Sequence, residues 1–315
     1  MDIIKENEIR ERVRDYYHTG GGSTFYLGFN SLGSLYSIKE GGCTDWSGLP
    51  GSGKTEVLLD SLKFCSKYYK HKHLIHMPDA GTVEEVIGKL IHKLSGKQFE
   101  QFYFDSDGNK CLIEDRVTEQ EMERLLPIVL DYFKILDPKK SNNSKALTPK
   151  EFWQFSVDNK KELGIFSAVI DSWNYMKHDT GALRYDQWLE DTLSFRNELA
   201  ERNDLHFHTI IHPKSGKKVE GKTQMPDMHD LKGGSEWANN GKTIIIVHRE
   251  FGSTVTDVKV NKAKPRIVGT QGITSLQYDL KVGAFYEMVH GKKKFAEPKA
   301  VIQNNSLNGF TNNNF

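Results

Sequence analysis

Gly48-Leu49-Pro50-Gly51-Ser52-Gly53-Lys54-Thr55 fits the pattern G-x-x-x-x-G-K-[ST] at every fixed position. The pattern has a mechanical reason. Glycines let successive backbone N–H groups curl around a β-phosphate without Cβ clashes, and a helix opening behind them adds the positive end of its dipole. Gly48, Pro50, Gly51, Ser52 and Gly53 then form a cradle. Lys54 reaches the β- and γ-phosphates, and the Thr55 hydroxyl binds Mg²⁺. The flanks supply the required context. Gly42 to Ser47 reads as short and extended, and Val57, Leu58, Leu62 and Cys65 fall near helical spacing after the loop.

Such a loop needs a second Mg²⁺ partner at the end of an apolar strand. Ile165-Phe166-Ser167-Ala168-Val169-Ile170-Asp171 is the best such run, and Asp171 closes it. Ser172, Trp173 and Asn174 follow at the strand's C-terminal edge, where open α/β sheets bind ligands.

Working outward, helical and extended segments alternate. His73 to Met77 reads as a buried strand, and Val83, Val86, Ile87, Leu90, Ile91 and Leu94 trace a helix that Gly96 ends. Thr118-x-x-Glu121 and Thr148-Pro149-x-Glu151 have the form of capping boxes. The second opens a helix expected to reach Gly164. A long helix follows over 185–203, then a strand over 207–211. Four more strands, over 243–247, 255–260, 273–278 and 283–287, close the chain. The cluster Asp105-Ser106-Asp107-Gly108-Asn109 has a faint look of a calcium loop, but Arg116 stands where the twelfth-position glutamate belongs.

This order implies an α/β fold: a mainly parallel sheet flanked by helices, ending in antiparallel strands. Residues 25–295 read as one domain. Residues 1–24 form an N-terminal arm with Ile4, Ile9, Val13 and Tyr17 near one face, packed either on its own domain or on a neighbouring subunit. Residues 296–315 form a tail whose last thirteen residues hold six Asn, a composition that favours disorder.

Composition narrows the function. Hydrophobic residues are 37% and charged residues 27% of 315, which supports a sizeable core. The net charge of +1 excludes a globally basic coat, so binding to an acidic partner must rest on a local patch. Cys43, Cys65 and Cys111 form no CxxC pair and no disulfide framework. The charged opening stretch is no signal peptide, and the longest apolar run, near Thr243 to Val247, is too short for a bilayer. A soluble cytoplasmic protein with no membrane partner is the expectation.

Several blocks together carry a family likeness. Val169-Ile170-Asp171-Ser172-Trp173-Asn174 resembles the second nucleotide motif of phage and Twinkle-type helicases, and Thr209-Ile210-Ile211-His212-Pro213-Lys214 resembles the next. The stretch from Asp230-Leu231-Lys232-Gly233-Gly234 to Arg249 resembles the following block, and Val260 to Gly269 its late K-x-R segment. In order, they span about residues 25–290. The chain resembles the motor domain of DnaB/Twinkle-like replicative helicases, with a RecA-like core and a bacteriophage source.

The resemblance implies ATP with Mg²⁺ as cofactors, 5′-to-3′ translocation on single-stranded DNA, a homo-oligomer of about six subunits in a ring, and a separate primase or polymerase as partner. A phage-encoded chain would act in the host-cell cytoplasm. His212 would sense the γ-phosphate. Lys262 and Lys264 would reach the nucleotide of the neighbouring subunit. The family usually has Arg at the position of Lys264, and Arg266 is the alternative finger. Its catalytic glutamate ends the second strand, where this chain has His76-Met77-Pro78-Asp79, leaving Asp79 as the nearest carboxylate. Lys242 replaces a common aspartate.

Lys214, Lys217, Lys218 and Lys222 share one short loop with Gly216 and Gly221. A basic loop there can follow a phosphate backbone, and the resemblance places it in a ring's channel. Two other readings stay open: a RecA-like recombinase or non-unwinding DNA motor, and a weakly hydrolysing scaffold or helicase loader.

Overall fold

The computed structural model describes residues 3–20, 22–104, 107–137, 147–214, 216, 218–219 and 222–298. Its centre is a ten-stranded sheet. Six strands run parallel in the order Thr243–His248, Cys43–Ser47, His206–Ile211, Ile165–Asp171, Lys72–His76 and Phe133–Ile135. Beyond Thr243–His248 the sheet continues antiparallel through Val255–Ala263, Gly272–Asp279, Ala284–Val289 and Lys292–Phe295.

The parallel strands are buried on both faces, which is why they read as near-continuous apolar runs rather than alternating ones. Along Thr243–His248, Ile245 and Val247 enter one core while Ile244 and Ile246 enter the other. The first core lies under the helices Lys54–Tyr69, Val83–Ser95 and Glu119–Tyr132. The second lies under Pro149–Asp158, Tyr185–Asn203 and Gly234–Asn240. Both expected capping boxes are formed, at Thr118 with Glu121 and at Thr148 with Glu151.

A buried ion pair joins the phosphate-loop strand to the second layer. Arg196, on the helix Tyr185–Asn203, grips both carboxylate oxygens of Asp45 and donates to Thr209 Oγ1 at 3.1 Å. Its guanidinium lies between the rings of Trp153 and Trp237, each centroid 5.6 Å away.

Three details differ from the sequence expectation. The helix from Pro149 stops at Asp158, and a separate turn, Lys160–Leu163, leads to Gly164, because Asn159 leaves helical geometry (φ −102°, ψ 4°). The Lys292-Lys293-Lys294 run forms an edge strand, where lysines discourage further pairing. Phe102–Phe104 and Lys110–Leu112 pair as a small hairpin in the turn-rich stretch. The arm is a helix, Glu6–Thr19, with Ile9 45%, Val13 60% and Tyr17 81% exposed, so that face is left open by its own domain.

Candidate nucleotide site

The phosphate loop leaves the C-terminal end of Cys43–Ser47 and opens the helix Lys54–Tyr69. Glycine is required at two of its positions by contact. A Cβ on Gly48 would come within 2.0 Å of the Val247 carbonyl oxygen, so the loop lies flush against the neighbouring strand. Gly53 sits at φ +94°, and a Cβ there would meet the Phe285 ring at 3.1 Å.

Asp171 ends the strand two places across the sheet and reaches the same edge. Thr55 Oγ1 donates to Asp171 Oδ2 at 2.7 Å. Burial pushes the Asp171 carboxyl up to about 6, the Thr55 hydrogen bond pulls it down, and the nearby Asp79 charge adds to the rise. A buried acid held this far above its ordinary range suits a cation beside it, which would offset the charge. The Lys54 ammonium, shifted down by burial and partly restored by Asp171 and Asp79, donates to the Leu49 carbonyl at 3.0 Å. Ser52 Oγ and Ser172 Oγ are buried at this edge without a hydrogen-bond partner, two further polar atoms able to meet a ligand or its water.

Asp79 follows the strand Lys72–His76, and its N–H donates to the Asp171 carbonyl at 3.1 Å. His212, at the end of His206–Ile211, meets it from the other side. His212 Nε2 lies 2.7 Å from Asp79 Oδ2, with the two side chains 23% and 26% exposed. Lys54, Thr55, Asp79, Asp171 and His212 therefore gather at the C-terminal ends of four adjacent strands.

The remaining sequence candidates lie elsewhere. Lys262 is half-buried and its ammonium donates to the carbonyls of Ala238 and Asn239 at 2.6 and 3.1 Å, capping the helix Gly234–Asn240. Lys264 lines a cavity of about 500 Å³ at the opposite end of the sheet, with Lys242, Cys43, His206 and Thr243. Arg266 is exposed on the turn that follows. One chain thus does not bring these three to its own phosphate loop.

Lys214 is exposed, and its N–H is tied to the Asp230 carbonyl at 2.8 Å. Lys218 and Lys222 belong to two short paired strands, Lys218–Val219 and Lys222–Thr223. Lys217 lies outside the described residues.

Sequence reasoning passed over Arg249. It leaves the strand Thr243–His248 beside the phosphate loop, and its guanidinium donates to the Gly51 carbonyl at 2.7 Å. The missing signal was topological: only the strand order makes Thr243–His248 the neighbour of Cys43–Ser47.

No known family profile matches the chain. It is 24% identical over 280 residues to the Twinkle homolog protein, chloroplastic/mitochondrial, of Arabidopsis thaliana, covering 86% of this chain and 37% of that protein. The chain thus spans well under half the length of that relative. Among solved structures, the separate ATPase domain of a DnaB-like helicase superposes with a TM-score of 0.69 at 16% identity, covering 90% of this chain and 99% of that one. A DnaB-like replicative helicase, studied with its interactions with primase, gives 0.65 at 16% identity over 90% and 67% of the two chains. The chain has the RecA-like fold of DnaB-like helicase ATPase domains.

Proposed function

We propose that residues 25–295 are the ATP-driven motor of a replicative DNA helicase, with residues 1–24 as an arm. One observation carries this reading most: a complete phosphate loop, an Mg²⁺-binding pair and a candidate water-orienting acid meet at one sheet edge. Thr55 and Asp171 would hold Mg²⁺, which when bound supplies charge neutralisation for the β- and γ-phosphates. Lys54 stabilises the charge that develops on the transferred phosphoryl group. Asp79 orients the attacking water. His212, in contact with Asp79 and two residues before Lys214, links the γ-phosphate to the basic segment.

That segment, with Lys214, Lys217, Lys218 and Lys222, holds single-stranded DNA without reading its bases. Lys264 or Arg266, being remote from their own phosphate loop, act on the nucleotide of a second copy, which requires a ring, six-membered by likeness to DnaB-type assemblies. A primase is a fitting partner, since a structural relative is described with one. Among the described residues no helix is long and apolar enough to cross a membrane, and action in the cytoplasm is part of the proposal.

A second reading has its own support. Asp79 is one methylene shorter than glutamate and is already engaged by His212, which favours a slowly hydrolysing scaffold or loader. Steady-state ATP turnover with and without single-stranded DNA separates the two. The motor reading expects turnover that DNA stimulates several-fold; binding of ATP with negligible turnover under both conditions would replace it by the scaffold.

A further inference from the structure

Behind the phosphate loop lies a buried ion cluster that no nucleotide motif includes. The helix Lys54–Tyr69 carries Glu56 and Asp60 on one face, one turn apart. Lys93, on the helix Val83–Ser95, inserts between them with its side chain 1% exposed. Its three donors have three acceptors: Glu56 Oε2 at 2.7 Å, Asp60 Oδ1 at 3.3 Å and the Gly283 carbonyl at 2.8 Å. The Tyr278 ring lies under the ammonium at 5.3 Å, and the Tyr278 hydroxyl donates to Glu56 Oε2 at 3.3 Å. Burial alone would discharge such a lysine; Asp60 and Glu56 instead hold it protonated, above its ordinary range.

The cluster's two outputs both reach the nucleotide edge. Asp60 Oδ2 accepts the Phe285 N–H at 2.7 Å, and the Phe285 ring is the wall against Gly53. The helix that carries Lys93 begins at its Thr82 cap, three residues after Asp79. Pinning the far end of that helix to the phosphate-loop helix therefore sets where the Asp79 turn stands relative to Lys54.

We propose that Lys93 is a positioning residue for ATP turnover, holding the phosphate loop, its Phe285 wall and the Asp79 turn in register through Glu56 and Asp60. The proposal rests on the nucleotide-site reading above. An apolar cluster of equal volume could match the stability of a buried ion cluster, but it would lack the directional bonds that fix register.

The test measures ATP KM, kcat and thermal midpoint for the unchanged protein, for Glu56→Gln/Asp60→Asn/Lys93→Met, and for Glu56→Gln. The triple variant should fold with a midpoint near that of the unchanged protein, yet show KM raised about tenfold and kcat lowered, as misplacement of a binding loop does. In Glu56→Gln, losing a negative charge near the phosphates would by itself tighten ATP; register loss weakens it, and a KM raised about threefold is expected. A folded triple variant with unchanged KM and kcat overturns the proposal. If the triple variant does not fold, an unchanged or lowered KM in Glu56→Gln overturns it. Failure of the unchanged protein to bind ATP would instead remove the nucleotide-site reading itself.

Discussion

Asp45 and Asp171 occupy strands two places apart in the same sheet, both fully or nearly fully buried (0% and 1% exposed). Their surroundings are opposite. Asp45 is gripped at both oxygens by Arg196, itself buried between two tryptophans. Asp171 meets a neutral hydroxyl, Thr55, and has a second acid, Asp79, close by. The first arrangement is complete within the chain and serves the fold. The second is incomplete without a cation. A buried carboxylate whose charge the chain compensates is a brace, and one left to an outside charge is a site.

The contrast can be broken at either aspartate. Arg196→Ala should leave the Asp45 charge buried and unpaired and cost about 3–5 kcal/mol of stability, read by urea denaturation. A loss below about 1 kcal/mol would mean that water reaches Asp45 and the brace is not closed. Lys54→Ala should lower ATP turnover by about 10²–10³-fold, as loss of a charge-stabilising donor does, with little change in the thermal midpoint. Turnover near that of the unchanged protein would remove the phosphate-loop assignment.

Asp171→Asn should move function and stability in opposite directions. Because burial raises the folded carboxyl from 3.8 to about 6, the folded state holds its proton more tightly than the unfolded chain. Its stability contribution is full below about pH 4 and is lost as pH rises through about 6. The neutral amide lacks this loss, so without Mg²⁺ the variant should be more stable at pH 7 by about 2–3 kcal/mol while Mg²⁺-dependent turnover falls. Equal stability of the two proteins at pH 7, measured without Mg²⁺, would show that Asp171 is not strained by its surroundings.

The smallest expected effect is at the basic segment. Replacing Lys217 and Lys218 by Ala should flatten the salt dependence of single-stranded DNA binding by about one unit of log–log slope per lost phosphate contact. Basal ATP turnover without DNA should persist. Unchanged affinity and slope would make the segment solvated surface.

These two aspartates also show what a sequence discloses. Asp171 was legible because its signal is local: seven apolar-rich residues ending in an acid, at the spacing a phosphate loop requires. The parallel strands, the capping boxes and the closing antiparallel strands were legible for the same reason. Asp45 was not, because its partner lies 151 residues away on a helix whose exposed and buried faces both carry charge. Lys93 is the same case, since a lysine near the end of an amphipathic helix reads as solvent-facing until the Gly272–Asp279 and Ala284–Val289 strands cover it. Pairing of Asp79 with His212 likewise depends on strand order, which puts the ends of nonconsecutive strands side by side.

Unwinding of a forked DNA duplex by the purified protein, with ATP and Mg²⁺ and with Lys54→Ala beside it, tests most directly whether this sheet edge drives a helicase. The account expects strand separation that requires ATP, rises with single-stranded DNA stimulation of turnover, and disappears in Lys54→Ala. Robust ATP turnover with an intact fork would contradict it and leave a motor that moves on DNA without opening it.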